Sequence, residues 1–130
     1  MTASTFYNDK EYPYYGRLSG TRGNGAWCPN KNNKGDYLQV DMMKMYSVCA
    51  LATQGSRTHD YWTTSYKLHF STNGATWESY KENRIDKVSI FKSKLFNFFL
   101  TLHCVSYLEE LPHSNSQKVT LNYDNVHKIC

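Results

Sequence analysis

The stretch Tyr66-Lys67-Leu68-His69-Phe70-Ser71-Thr72-Asn73-Gly74-Ala75-Thr76-Trp77 decides the fold class. Apolar and polar residues alternate from Tyr66 to Phe70, the period-two pattern of a strand with one buried face. The Asn73-Gly74 pair that follows tolerates positive φ and favours a tight reversal. A hairpin ending near Tyr80 is therefore expected. Toward the N-terminus, Tyr37-Leu38-Gln39-Val40-Asp41 alternates in the same way. Ser47-Val48-Cys49-Ala50-Leu51-Ala52 is more continuously apolar, as in a strand covered on both faces. The Gly- and Tyr-rich stretches 6–25 and 55–64 join these strands and exceed ordinary connection lengths, which marks functional or disordered loops.

The chain has 130 residues and a mass of 15.2 kDa, the size of one domain with one core. Hydrophobic residues at 40% and charged residues at 20% exclude a wholly disordered or collagen-like chain. Mean hydropathy of −0.66 argues against a membrane protein. The net charge of +4 suits anionic ligands but forms no continuous basic stripe, so no nucleic-acid partner is expected. Aromatic residues reach 15%, a usage typical of β-rich binding modules. Cys28, Cys49, Cys104 and Cys130 form no C-x-x-C pair, so disulfides in an extracellular setting are the better reading. The opening residues Met1-Thr2-Ala3-Ser4-Thr5 are polar and do not form a signal peptide, and no Asn-x-Ser/Thr sequon occurs.

Composition changes near Val88. All seven glycines and all three tryptophans precede it. Beyond it, Phe91, Leu95, Phe98, Leu102 and Val105 recur at three- and four-residue spacing until Pro112, which predicts a helix over about 90–110 followed by a disordered tail. Lys92, Lys94, Asn97 and His103 interrupt that apolar run, so it is not read as a membrane span.

In order along the chain, Thr2-Ala3-Ser4, Gly16-Arg17-Leu18, Gly25-Ala26-Trp27-Cys28, Tyr37-Leu38-Gln39-Val40-Asp41, Ala52-Thr53-Gln54-Gly55 and Ser71-Thr72-Asn73-Gly74-Ala75-Thr76-Trp77 resemble the discoidin domain, or coagulation factor V/VIII type C domain. The resemblance runs from Met1 to about Val88. It implies an all-β, distorted jelly-roll barrel of the galactose-binding-like kind, in which loops at one end of an extracellular protein bind phospholipid headgroups, glycans or protein partners without catalysis. This chain departs from the pattern at both ends. The family's opening strand and cysteine are not matched, and residues after Lys87 do not resemble its closing strands. The 1–88 segment is thus expected to form an incomplete barrel with unpaired edges and low stability. The 89–130 segment is expected to be a foreign tail, which a splice donor read through at Lys87-Val88-Ser89 would generate.

The resemblance places ligand-contacting loops at Tyr7 to Tyr15 and Ser56 to Thr63. Tyr12, Tyr14, Tyr61 and Trp62 are the expected aromatic contacts, since such rings bury apolar area while a polar edge stays wet. Arg22 and Arg57 are expected to pair with phosphate, sulfate or carboxylate oxygens. Asn24, within Arg22-Gly23-Asn24-Gly25, is read as a turn residue. Cys28 and Cys49 are the preferred disulfide, worth about 2–4 kcal/mol, although in some relatives the first of these positions pairs near the domain's C-terminus. Cys104 and Cys130 receive no role.

Other chemistries fit poorly. His103, Cys104, His113, His127 and Cys130 contain one H-x-x-C spacing but no second tight ligand pair, so no metal and no cofactor is expected. Ser56, His59 and Asp60 share one short loop and cannot form a hydrolytic relay. Glu109-Glu110 point to different faces of a helix and suit solvent rather than acid–base chemistry. The expectation is a non-enzymatic recognition module, the alternatives being a nonfunctional fragment or an accessory binding domain of a larger secreted enzyme.

Overall fold

The computed structural model describes residues 1–31, 33–46, 48, 51, 53–90 and 118–125. Its regular elements are β1 (Thr2–Ala3), a 3-10 turn (Pro13–Gly16), β2 (Tyr37–Asp41), β3 (Ser65–Ser71), β4 (Glu78–Ser79), β5 (Lys81–Glu82), β6 (Ile85–Asp86), β7 (Val88–Ile90) and β8 (Lys118–Asn125). β2 and β3 fall where alternation predicted them. The hairpin also forms: β3 pairs with β4, and Tyr80 N–H continues the ladder to Leu68 O at 2.8 Å. Its reversal uses Gly74 at φ 72°, while Asn73 Oδ1 accepts from the Ala75 and Thr76 amides at 2.8 and 2.9 Å. Within 47–52, Val48 and Leu51 lie outside any strand, and the other four positions are outside the described residues.

The main sheet is antiparallel in the order β1-β2-β8-β3, with β4 and β7 sharing the far edge of β3. β7 pairs with Ser65–Lys67 and β4 with His69–Phe70, so together they act as one edge strand interrupted by an excursion. That excursion is the β5–β6 hairpin. Asn83 and Arg84 turn it at φ 51° and 67°, and Lys87 closes its base by pairing with Glu82 at 2.5 Å.

β8 corrects the expectation for the tail. Residues 118–125 are not disordered; they form the strand between β2 and β3, in register with Tyr37–Asp41 on one side and Lys67–Ser71 on the other. β2 and β3 run parallel to each other, and β8, antiparallel to both, completes the ladder of each. On this sheet β8 therefore occupies the place between β2 and β3. Ile90, placed at the start of the predicted helix, ends β7, and the remainder of that helix, 91–110, lies outside the described residues. No helix among the described residues is long and apolar enough to cross a membrane.

The core packs Trp27, Leu38 and Tyr66 with Met1, Ala3, Leu51 and Leu68 against one face of the sheet. Trp27 satisfies its indole by donating Nε1–H to Thr5 O at 2.8 Å. Asp36, buried, accepts from Ser4 Oγ and from the Asn33 amide, both at 2.7 Å, which pins the entry and exit of the long loop 4–36 together.

Candidate functional site

Strand direction places the loops. The 4–36 loop leaves β1 and returns at the start of β2, and the 53–64 segment delivers the chain to the start of β3. Because β2 and β3 both pair antiparallel with β8, their starts lie at the same end of the sheet, and so do the two loops.

In the first loop, Pro13 opens the 3-10 turn with its fixed φ, bringing Tyr12, Tyr14 and Tyr15 onto one side. Tyr12 stacks on Tyr14 with centroids 5.5 Å apart at 10°, and Tyr14 meets Tyr15 edge-on at 4.5 Å. Phe6 adds a fourth ring, 4.7 Å from Tyr12. Tyr14 and Phe6 are exposed at 44% and 43%, so this ladder meets solvent instead of capping a core. The hydrogen bond of Tyr14 Oη–H to Tyr15 Oη at 3.5 Å holds the Tyr14 hydroxyl above the ordinary tyrosine range, against a smaller downward pull from Arg22.

In the second loop, His59 and Tyr61 stack with centroids 5.0 Å apart at 4°. Arg57 is exposed, and its Nη2 donates to Thr21 O at 3.3 Å, which draws the loop against the Arg22 segment. Ser56 Oγ donates to Asn24 O and His59 Nδ1 faces Thr58 Oγ1, so the two are engaged separately and form no relay. Among the described residues no cluster of three metal-ligating side chains occurs.

The structure thus brings together Tyr12, Tyr14, Arg22, Arg57 and Tyr61 at one end. Trp62 stands apart. Its indole Nε1 is buried without a hydrogen-bond partner, so its polar edge is not wet as expected. It lines a cavity of about 380 Å³ with Trp27, Leu38, Val40, Leu51 and Tyr61 behind the loops. Sequence reasoning placed His59 in the second loop without a stacking role and missed the buried Glu11; only a charged residue beside a Tyr-Pro-Tyr-Tyr tip hinted at the latter. Asn24 serves the expected turn, with the Gly25 amide closing on Arg22 O at 3.0 Å, but its side chain also binds Glu11. Cys28 is 1% exposed and disulfide-bonded; its partner, and Cys49 with it, lies outside the described residues.

The F5/8 type C domain model matches residues 1–101. Lactadherin of Sus scrofa is 28% identical over 95% of this chain and 34% of its own length. Neuropilin-2 of Homo sapiens is 37% identical over 68% of this chain and 10% of its own length. Coagulation factor V of Bos taurus is 26% identical over 95% of this chain and 6% of its own length. The chain spans about a third or less of these relatives. An alignment covering 95% of the chain must reach into β8, so the likeness extends past Val88 and is not confined to the first 88 residues. A matching family model over most of the chain, with the sheet and paired loops described above, shows that the chain belongs to the F5/8 type C, or discoidin, domain family.

Proposed function

We propose that this chain is a non-catalytic, extracellular recognition module that binds anionic phospholipid headgroups through Tyr12, Tyr14, Arg22, Arg57 and Tyr61. The observation that supports the reading most is the Phe6–Tyr12–Tyr14–Tyr15 ladder, exposed at Phe6 and Tyr14, at the same end of the sheet as the His59–Tyr61 stack and Arg57, which donates to Thr21 O next to Arg22. Rings with polar edges suit a water–lipid boundary, and guanidinium groups suit phosphate and carboxylate oxygens. Glycan and protein ligands use the same ring faces and cations and form the second reading. Trp62 is assigned to the wall behind the loops rather than to the contact set.

Co-sedimentation with phosphatidylserine-containing vesicles, phosphatidylcholine vesicles as control, tests the reading. Tyr14→Ala and Arg57→Ala should each weaken binding about tenfold, and binding should fall as salt rises from about 50 to about 300 mM, because screening shortens the reach of the two arginines. Equal binding to both vesicle types, or unchanged binding in both variants, defeats the lipid reading; retention on a glycan array sensitive to Tyr14→Ala would favour the second.

A further inference from the structure

Glu11 sits within an exposed loop yet is only 3% exposed. Its Oε1 accepts from Asn24 Nδ2 at 2.9 Å, and its Oε2 is buried without a hydrogen-bond partner. A buried carboxylate satisfied on one side only is a stability cost. Stability alone therefore does not account for this residue.

What it holds is the junction of three segments. The Asn24 amide donates to Lys10 O at 2.9 Å, while its carbonyl accepts from Ser56 Oγ at 3.1 Å and from the Arg57 amide at 3.2 Å. Its side chain, through Glu11, fixes the residue directly before Tyr12. The Ser56 amide donates to Tyr61 O at 2.7 Å and closes the second loop on itself. Backbone and side chain of Asn24 thus tie the foot of the tyrosine ladder to the foot of the His59–Tyr61 stack. Gly23, at φ 53° with Lys10 O only 2.2 Å from where a Cβ would stand, permits the close approach.

We propose that Glu11 and Asn24 are positioning residues that lock the two aromatic groups to each other, so that a ligand meets one preformed surface instead of two independent loops. The inference rests on the reading that these loops contact the ligand. Ordering the loops during folding spares that entropy at binding, which is where preorganisation gains affinity.

A polarity swap tests it. Asn24→Asp sets a second carboxylate against Glu11 where a donor stood, and like charges at that distance repel. Amide hydrogen exchange at position 24 and at Arg57 should accelerate, and affinity for phosphatidylserine vesicles should drop, each by about tenfold or more. Adding Glu11→Gln reverses the pair, with the new amide at position 11 donating to the new carboxylate at position 24, and should return both readouts to within about threefold of the starting chain. Tyr14→Ala and Tyr61→Ala should be non-additive in the starting chain and additive in Asn24→Asp. If Asn24→Asp does not fold, cooperative melting of the double variant is the rescue. Unchanged exchange in Asn24→Asp, or no recovery in the double variant, overturns the positioning role. Absence of vesicle binding by the starting chain instead removes the ligand reading and leaves the exchange measurements to decide the positioning role.

Discussion

Replacing Thr120 with proline strikes the middle of β8, where the residue is paired with Gln39 on one side and His69 on the other. A strand flanked on both edges has no open side for a missing donor, which is why proline is confined to edges. The lost ladder bond is worth about 0.5–1.5 kcal/mol net, and the carbonyl left without its donor in the sheet interior adds about 1–3 kcal/mol. The total, about 2–4 kcal/mol, corresponds to a fall in Tm of about 8–16 °C for a chain of this size. Ser79→Pro is the matched edge control. Tyr80 directs its amide to Leu68 O, so by the alternation of the ladder Ser79 directs its own away from β3. That variant loses the Ser79 Oγ contact to His69 Nδ1 at 3.2 Å and little else, about 1 kcal/mol. Urea unfolding followed by circular dichroism compares the two. Equal midpoints would show that β8 does not run between β2 and β3. A chain ending at residue 117 should in turn lose its cooperative transition, because β2 and β3 then face an empty gap.

Gly23→Ala should destabilise by about 2 kcal/mol or more, through both its positive φ and the clash with Lys10 O, whereas Gly35→Ala, at φ 93° with open space around its Cβ site, should cost about 1–2 kcal/mol from backbone strain alone. Similar melting temperatures for the two would remove the steric argument for the loop junction. Spectrophotometric titration should find Tyr14 ionising above the ordinary range, and Tyr15→Phe should bring it back down. Because the folded value is raised, its contribution to stability is complete below the ordinary tyrosine pKa and disappears as pH climbs through the raised one. Non-reducing peptide mapping should recover Cys28 linked to Cys49, our preferred pairing for the bridge that Cys28 makes. A Cys28 peptide linked to Cys104 or Cys130 would reassign it.

Alternation along Tyr37–Asp41 and Tyr66–Phe70 and the Asn73-Gly74 reversal made β2, β3 and their hairpin legible, because strand faces and turn chemistry are local properties. The aromatic loops were legible for a similar reason: eleven tyrosines concentrate partly in stretches too long for simple connections. β8 was passed over. Lys118–Asn125 alternates polar and apolar residues from Lys118 to Tyr123, the same local strand signal, but its place at the centre of the sheet depends on partners about fifty and about eighty residues away in sequence. The same limit hid Glu11 and the burial of the Trp62 indole Nε1. By itself the sequence determined β2, β3, the turn between β3 and β4, and the family; tertiary structure decided which segment fills the sheet, which aromatic rings stay wet, and that a half-satisfied carboxylate joins the two loops. Local chain conformation follows from neighbouring residues, whereas strand order and burial follow from contacts that exist only once the chain has closed.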